Sequence, residues 1–345
     1  MTAIGFLSFG HWQDHPGSRV RSAREALLQG IDLAVAAEEV GVDGAYFRVH
    51  HFAPQQAAPF PLLAAIAART SRIEIGTGVI DMRYENPLSM AEEAAATDLI
   101  SGGRLQLGVS RGSPETAEAG YEAFGYVPGD GEDDAVMARR HTALFRQAIA
   151  GTPMAQANPR MTGRDGVLPV SPLSEGLGDR IWWGAGTRAT AEWTAEQGMN
   201  LMSSTLLTED TGVPFDQLQR EQIERFRSTW AEQGWDRTPR VSVSRSIIPI
   251  TDDESRHFFG VRAQVEGRDQ VGHLDGGVAR FGRSYIGEPE RLVAELADDA
   301  AVAAADTVLV TVPNQLGVEF NARLLAGVVA IGAELGWDRQ PVPAT

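Results

Sequence analysis

Residues 73–112 read IEIGTGVIDMRYENPLSMAEEAAATDLISGGRLQLGVSRG, and no stretch constrains the fold more. Two apolar runs, 73–80 and 105–109, flank a segment in which Leu88, Ala91, Ala95, Leu99 and Ile100 recur at helical spacing. The pattern is strand, helix, strand. A helical crossover of this length returns the chain to the same end of a sheet, so the two strands are expected to be parallel. Parallel strands buried on both faces give continuous apolar runs like these. Both runs end in polar or glycine-rich residues, 81–83 and 110–113, at the strand ends where α/β sheets place their ligands.

The same unit repeats along the chain. Strands are expected at 4–9, 44–49, 73–80, 105–109, 181–183, 200–203, 241–249 and 307–312. Helices are expected at 23–40, 61–69, 136–149, 188–197, 215–233, 290–301 and 320–335, besides the one already described. Eight strands alternating with about eight helices through right-handed crossovers predict an α/β fold, a (β/α)8 TIM barrel, as a single domain over 1–345. An open doubly wound sheet would need a break in strand order that the pattern does not show. Two stretches without a period, 152–179 and 251–287, read as long loop insertions, expected at the C-terminal face and able to cover a site there.

Composition narrows the function. Asp and Glu outnumber Lys and Arg by 46 to 30, a formal charge of −16, which opposes binding to nucleic acid or an anionic membrane. No cysteine is present, so disulfides, thiolate metal sites and cysteine nucleophiles are excluded. The N-terminus starts directly on a strand-like run, without the basic start and apolar core of a secretory signal, and no run of about 18 apolar residues crosses a bilayer. A cytoplasmic location is expected.

In a barrel, chemistry belongs at the C-terminal ends of the strands: His11, His50, His51, residues 76–81, 110–113 and 184–187. An imidazole at such a position can serve as acid, base or hydrogen-bond donor near neutral pH. Equally, His50 and His51 can be an ordinary loop pair, one packed and one solvated. Adjacent histidines lack the i, i+4 geometry of a helical zinc pair, so no metal is expected.

The turn Gly184-Ala185-Gly186-Thr187-Arg188-Ala189-Thr190 joins a strand to a helix, and such a helix start can hold a phosphate, with Thr187 and Thr190 adding hydroxyl donors. The same residues also suit a tight turn with a simple N-cap. Arg111 can pair with a phosphate or with Glu115 or Glu118. Trp182, Trp183 and Trp193 are expected in the core rather than stacked on a cofactor.

Taken in order, these segments resemble the bacterial luciferase-like flavin-dependent monooxygenase family over nearly the full length. The resemblance is carried by AEEVGVDGAYFRVHHF (37–52), by GTG, NPL, AEE and GGR within 73–112, by WGAGTRATAEWTAEQG (183–198) and by IGEPERLVAEL (286–296). It implies a TIM barrel, usually a homodimer, that binds reduced FMN at its C-terminal face. Through a flavin peroxide adduct with O2 it would oxygenate a small organic substrate.

By position, the resemblance makes Arg111, Thr187 and Thr190 holders of the flavin phosphate, with Arg139 or Arg140 as a further partner, and lays Gly186 along the flavin. His50 matches the family's catalytic histidine. Ser110 lies by the reactive edge of the ring, and Gly78-Val79 matches the site of a non-proline cis peptide beneath it. Where the luciferases carry Glu before His-His-Phe this chain has Val49, so aldehyde oxidation and light emission are not carried over. Deazaflavin F420 in a hydride-transferring relative, or a flavin-binding protein without turnover, are the alternatives. A separate NAD(P)H:flavin reductase is expected, because no nicotinamide-binding unit is recognisable in the 345 residues.

Overall fold

The structure is a computed structural model that describes residues 2–112, 116–209, 212–265, 269–274 and 277–337, with backbone alone at 265, 270–274 and 277–279. Ser113 and Glu115, named above, lie outside the described residues.

Eight strands form the barrel: β1 (Ala3–Ser8), β2 (Gly44–Phe47), β3 (Glu74–Asp81), β4 (Leu105–Ser110), β5 (Ile181–Ala185), β6 (Asn200–Ser203), β7 (Val241–Pro249) and β8 (Thr307–Thr311). Every strand pairs in parallel with its successor, and β8 pairs with β1 through Ala3↔Thr307 to Leu7↔Thr311, so the sheet closes. Around it stand α1 (Ala23–Val40), α2 (Pro59–Ala67), α3 (Pro87–Ser101), α4 (Asp134–Ile149), α5 (Arg188–Glu196), α6 (Phe215–Gln233), α7 (Pro289–Ala297) and α8 (Gly317–Glu334).

Local chemistry sets the helix ends. In α3 the Asn86 side chain accepts from the Leu88 and Ser89 N–H groups, Pro87 takes the first helical position, and Gly102 closes the helix at φ 67°. Helix α8 lies within a segment, Asn314–Glu334, long and apolar enough to cross a membrane by length and composition, with mean hydropathy 1.4. Here Phe320, Leu324, Leu325, Val328 and Ile331 are buried in the protein core.

Three expectations are corrected. Residues 152–179 do not cover the C-terminal face: they lie between the end of α4 and the start of β5, and helix-to-strand connections in a parallel barrel run at the N-terminal face. Ser174 accordingly bonds Asp98, whose other oxygen takes the Leu105 N–H at the start of β4. Residues 251–287 do leave from the C-terminal end of β7, but the described ones among them are structured. They contain the helix Asp253–Phe259, an antiparallel ribbon of Gln270–Leu274 with Gly277–Phe281, and Ser284–Gly287 running parallel to the second half of β7. Pieces this short give no period in the sequence. The helix expected at 290–301 is also broken, into α7 and Ala300–Ala304, because the Asp299 side chain caps the second piece while gripping Arg245 and Tyr285.

The bore of the barrel is filled from below. Arg240 grips both oxygens of Glu74 at 2.7 and 3.1 Å, Tyr46 and Gln106 donate to the same carboxylate at 3.0 and 3.2 Å, and Trp182 donates to Gln106 at 2.8 Å. This network ties β2, β3, β4 and β5 at one end to the residue that precedes β7. Tyr46 needs Gly76 beside it, where a Cβ would overlap the Gln106 carbonyl oxygen and the tyrosine ring. Above the network Leu7, Met202 and Leu309 pack on Tyr46 and Trp182, with Phe9 and Val79 against them. Their upper side is the floor of the site.

Candidate active site

Over that floor lies a cavity of about 320 Å³. The structure brings to its wall His50, Gly78, Val79, Ser110, Arg111, Gly186, Thr187 and Thr190 from the sequence reading. Arg140 is not among them: it is exposed and pairs with Glu132 at 3.5 Å, whereas Arg139, on the neighbouring turn position of α4, reaches the cavity and lies over the Trp193 ring at 4.5 Å. A one-residue step turns a helical side chain by roughly 100°, so only one of two adjacent arginines can face the barrel mouth.

The two histidines diverge. His50 follows β2 into the cavity, with its backbone N–H fixed on the Gln56 carbonyl at 2.7 Å. His51 turns away and stacks on Tyr84 at 4.4 Å, edge-on to Phe124. Burial pushes the His50 pKa down to about 4, helped by the nearby Arg48, His11 and His51. His50 is therefore a neutral imidazole near pH 7. His11 stacks on Phe9 outside this cavity, its pKa also lowered by burial and by Arg48.

The exits of β3 and β4 are braced against each other. Arg83 holds Asp81 through three contacts of 2.6 to 3.1 Å and reaches Asp134, at the start of α4, at 2.6 Å. Gly112, at φ 87°, sits where a Cβ would collide with the Asp81 carboxylate, so close approach and backbone geometry both require glycine. Its N–H donates to Ser110 Oγ at 2.9 Å. The Gly78–Val79 peptide bond, at a register shift between β3 and β4, is cis.

At the start of α5, Thr187 Oγ1 accepts the Thr190 N–H at 3.1 Å and lies 2.8 Å from Thr190 Oγ1. The N-cap reading of Thr187 is thus correct, and the cap also belongs to the cavity wall. The Arg188 N–H is taken by Glu209 at 2.8 Å. One proton of the threonine pair joins the two oxygens, and the other can point to a guest. With Arg111 and Arg139 they form a donor set on the β4–β5 side. Among the described residues that line the cavity are Arg48, Arg111 and Arg139 and the carboxylate of Asp81, which Arg83 engages.

Several wall residues escaped the sequence reading: Leu7, Arg48, Met202, Leu309, Ser203 and the segment 204–206 after β6. Arg48 left a signal, a lone cation within the apolar run GAYFRV just before the histidines. The others read as ordinary strand residues. Trp182 and Trp183 are fully buried, as expected of core residues, although Trp183 also borders the cavity. Among the described residues no group of three potential metal ligands converges.

A family model for luciferase-like monooxygenase matches residues 1–306. Among curated proteins, y4wF of Sinorhizobium fredii, an uncharacterised protein, is 28% identical over 57% of this chain and 55% of its own length. The oxygenase component of the flavin-dependent trigonelline monooxygenase of Acinetobacter baylyi is 36% identical over 24% of each chain. The chain thus spans about half or less of the curated relatives it matches. Among solved structures, monooxygenase RslO1 of Streptomyces bottropensis superimposes with TM-score 0.71 over 96% of this chain and 98% of that one, at 21% identity. An F420-dependent secondary alcohol dehydrogenase does so with TM-score 0.62 over 96% and 98%, at 16% identity. Likeness at these identities concerns the fold.

Proposed function

The chain belongs to the luciferase-like monooxygenase family, and from that premise we propose that it is an FMN-dependent monooxygenase acting on a small organic substrate. One observation carries the reading: a phosphate-type donor set (Arg111, Arg139, Thr187, Thr190) and a neutral histidine, His50, share one cavity over an apolar floor. The donors suit the phosphate of FMN by charge and hydrogen-bonding capacity, and the floor of Leu7, Val79, Met202 and Leu309 suits the face of a planar ring. When bound in its reduced form, FMN supplies the electrons with which O2 is activated for transfer of one oxygen atom to the substrate.

The chain's own groups do the rest. Thr187, Thr190, Arg111 and Arg139 anchor the phosphate and so fix the ring in place. Ser110 Oγ, already accepting from Gly112, keeps its own proton for donation toward the ring edge. His50, neutral at working pH, offers one N–H and one lone pair, and can hand a proton to or take one from the reacting edge without placing a second cation beside Arg48. The apolar floor and the segment 204–208 limit entry of water. The name of the Acinetobacter relative, an oxygenase component, supports delivery of reduced flavin by a separate reductase.

The test is anaerobic titration with reduced FMN, and separately with reduced F420, followed by admission of O2 with the absorbance recorded. Tight FMN binding and a transient spectrum distinct from both reduced and oxidised flavin support the oxygenase reading. Binding of F420 alone shifts it to hydride transfer, and FMN that reoxidises as fast as in free solution shifts it to storage. His50→Ala at unchanged turnover removes His50 from the chemistry.

A further inference from the structure

Helix α6 carries two buried glutamines, Gln219 and Gln222, three positions apart and therefore on one helical face. A buried amide needs partners inside the protein, and theirs lead to the cavity wall. Gln222 Nε2 donates to two carbonyl oxygens of the turn after β5, that of Ala185 at 3.2 Å and that of Thr187 at 3.0 Å. Its Oε1 accepts from Ser203 Oγ, which accepts in turn from Gln219 Nε2 at 2.9 Å. Gln219 Nε2 also donates to the Ser204 carbonyl at 2.9 Å, and Gln219 Oε1 accepts from Arg245 Nη1 at 2.8 Å. Carbonyls only accept and a guanidinium only donates, so the sense of every bond is fixed. The row runs one way, from the buried Arg245–Asp299 pair to the turn. Gly186, Thr187 and Ser203 line the cavity, and Gln222 stands behind them.

We infer that Gln222 is a positioning residue, which holds the turn 185–187 by its carbonyls in the shape that receives the flavin phosphate. The Ala185 carbonyl also accepts the Ser204 N–H at 3.0 Å, that of Gly186 accepts the Thr208 N–H at 3.2 Å, and that of Thr187 accepts the Ala191 N–H at 3.1 Å. In a trans peptide unit the N–H lies opposite the C=O, so a grip on the Ala185 carbonyl from α6 turns the Gly186 N–H away from that helix. The grip on the Thr187 carbonyl fixes the residue whose hydroxyl caps α5 and pairs with Thr190. That the guest of the turn is the flavin phosphate rests on the proposed function; that Gln222 sets the turn does not.

Two substitutions test it in the full chain. Gln222→Met keeps the side-chain length and removes both donors, and each turn carbonyl retains its backbone partner, so the fold should survive. Gln222→Glu keeps the shape, and its ionised carboxylate can only accept. In both, the ratio of riboflavin to FMN dissociation constants should fall about fivefold or more, while riboflavin affinity stays within about twofold. Gly76→Ala, which loosens the other end of the barrel, should keep the ratio. In the flavin-free protein, hydrogen exchange of peptides spanning 184–191 should quicken about tenfold in both variants, with the ends of β1 and β2 unchanged. A ratio that survives both substitutions, an equal fall in Gly76→Ala, unchanged exchange at the turn, or exchange that quickens alike at every strand end overturns the inference. A parent protein without any preference for FMN over riboflavin removes the phosphate reading, and faster exchange confined to the turn then still supports the hold of Gln222 on it.

Discussion

Replacing Thr190 with alanine separates two jobs that the start of α5 performs. Thr187 is the N-cap, and its oxygen accepts the Thr190 backbone N–H, a bond that survives in Thr190→Ala; what is lost is the second hydroxyl, 2.8 Å away. If the pair holds the flavin phosphate, this removes one hydrogen bond to a charged group, worth roughly 1.5–3 kcal/mol. The remaining Thr187 hydroxyl can still turn to the anion, so the low end applies, about a tenfold loss of FMN affinity. Thr187→Ala removes hydroxyl and cap together and should add about 1 kcal/mol of destabilisation.

The assay is fluorescence titration of FMN and of riboflavin, which lacks the phosphate, against both variants and Arg111→Met, with urea unfolding alongside. All three substitutions should shrink the ratio of riboflavin to FMN dissociation constants, and only Thr187→Ala should also lower the unfolding midpoint. An unchanged ratio in Thr190→Ala and Arg111→Met would refute the phosphate assignment, however the affinities themselves moved.

Other expected outcomes are independent of flavin. His50 has a folded pKa of about 4 against an ordinary 6.5, so the unfolded chain binds its proton first; its contribution to stability is full above pH 6.5 and is lost as the pH falls toward 4. Thermal melts of His50→Gln should flatten that part of the pH profile, and an unaltered slope between those limits would contradict the shift. Asp299→Asn leaves the buried Arg245 without its counter-charge and should cost about 3–5 kcal/mol in urea unfolding. A loss under about 1 kcal/mol would mean that the guanidinium finds water or another acceptor. Gly76→Ala should destabilise by at least about 1–3 kcal/mol, since the new methyl meets the Gln106 carbonyl and Tyr46 in a filled bore. A variant as stable as the parent would show that β3 can shift there.

The strand and helix alternation was legible because each barrel element imposes a period on its own residues. The strands at 200–203 and 241–249 and the helices at 23–40 and 215–233 have in the structure the bounds read from the sequence. Much of the candidate site was legible for a related reason. Strand ends in a parallel barrel converge, so naming the polar residues after β2, β4 and β5 already named His50, Ser110, Arg111 and Thr187. Thr190 followed from the helix that Thr187 caps.

What failed lay where side-chain direction or distant packing decides. Neither Arg139 against Arg140 nor His50 against His51 can be chosen without knowing which way each backbone position faces the mouth. Residues 152–179 were misplaced because a loop in the sequence carries no sign of which face it runs on; its position between a helix end and a strand start does.

By itself, then, the sequence determined the repeating unit, the number of repeats and the ring of strand ends, all of which follow from local periodicity and chain connectivity. Tertiary structure alone decided that Arg48 lines the cavity, that Leu7, Met202 and Leu309 form one floor, and that Arg245 is spent on Asp299. Those contacts join residues tens to hundreds of positions apart, and they exist only because closing the sheet brings β8 back against β1.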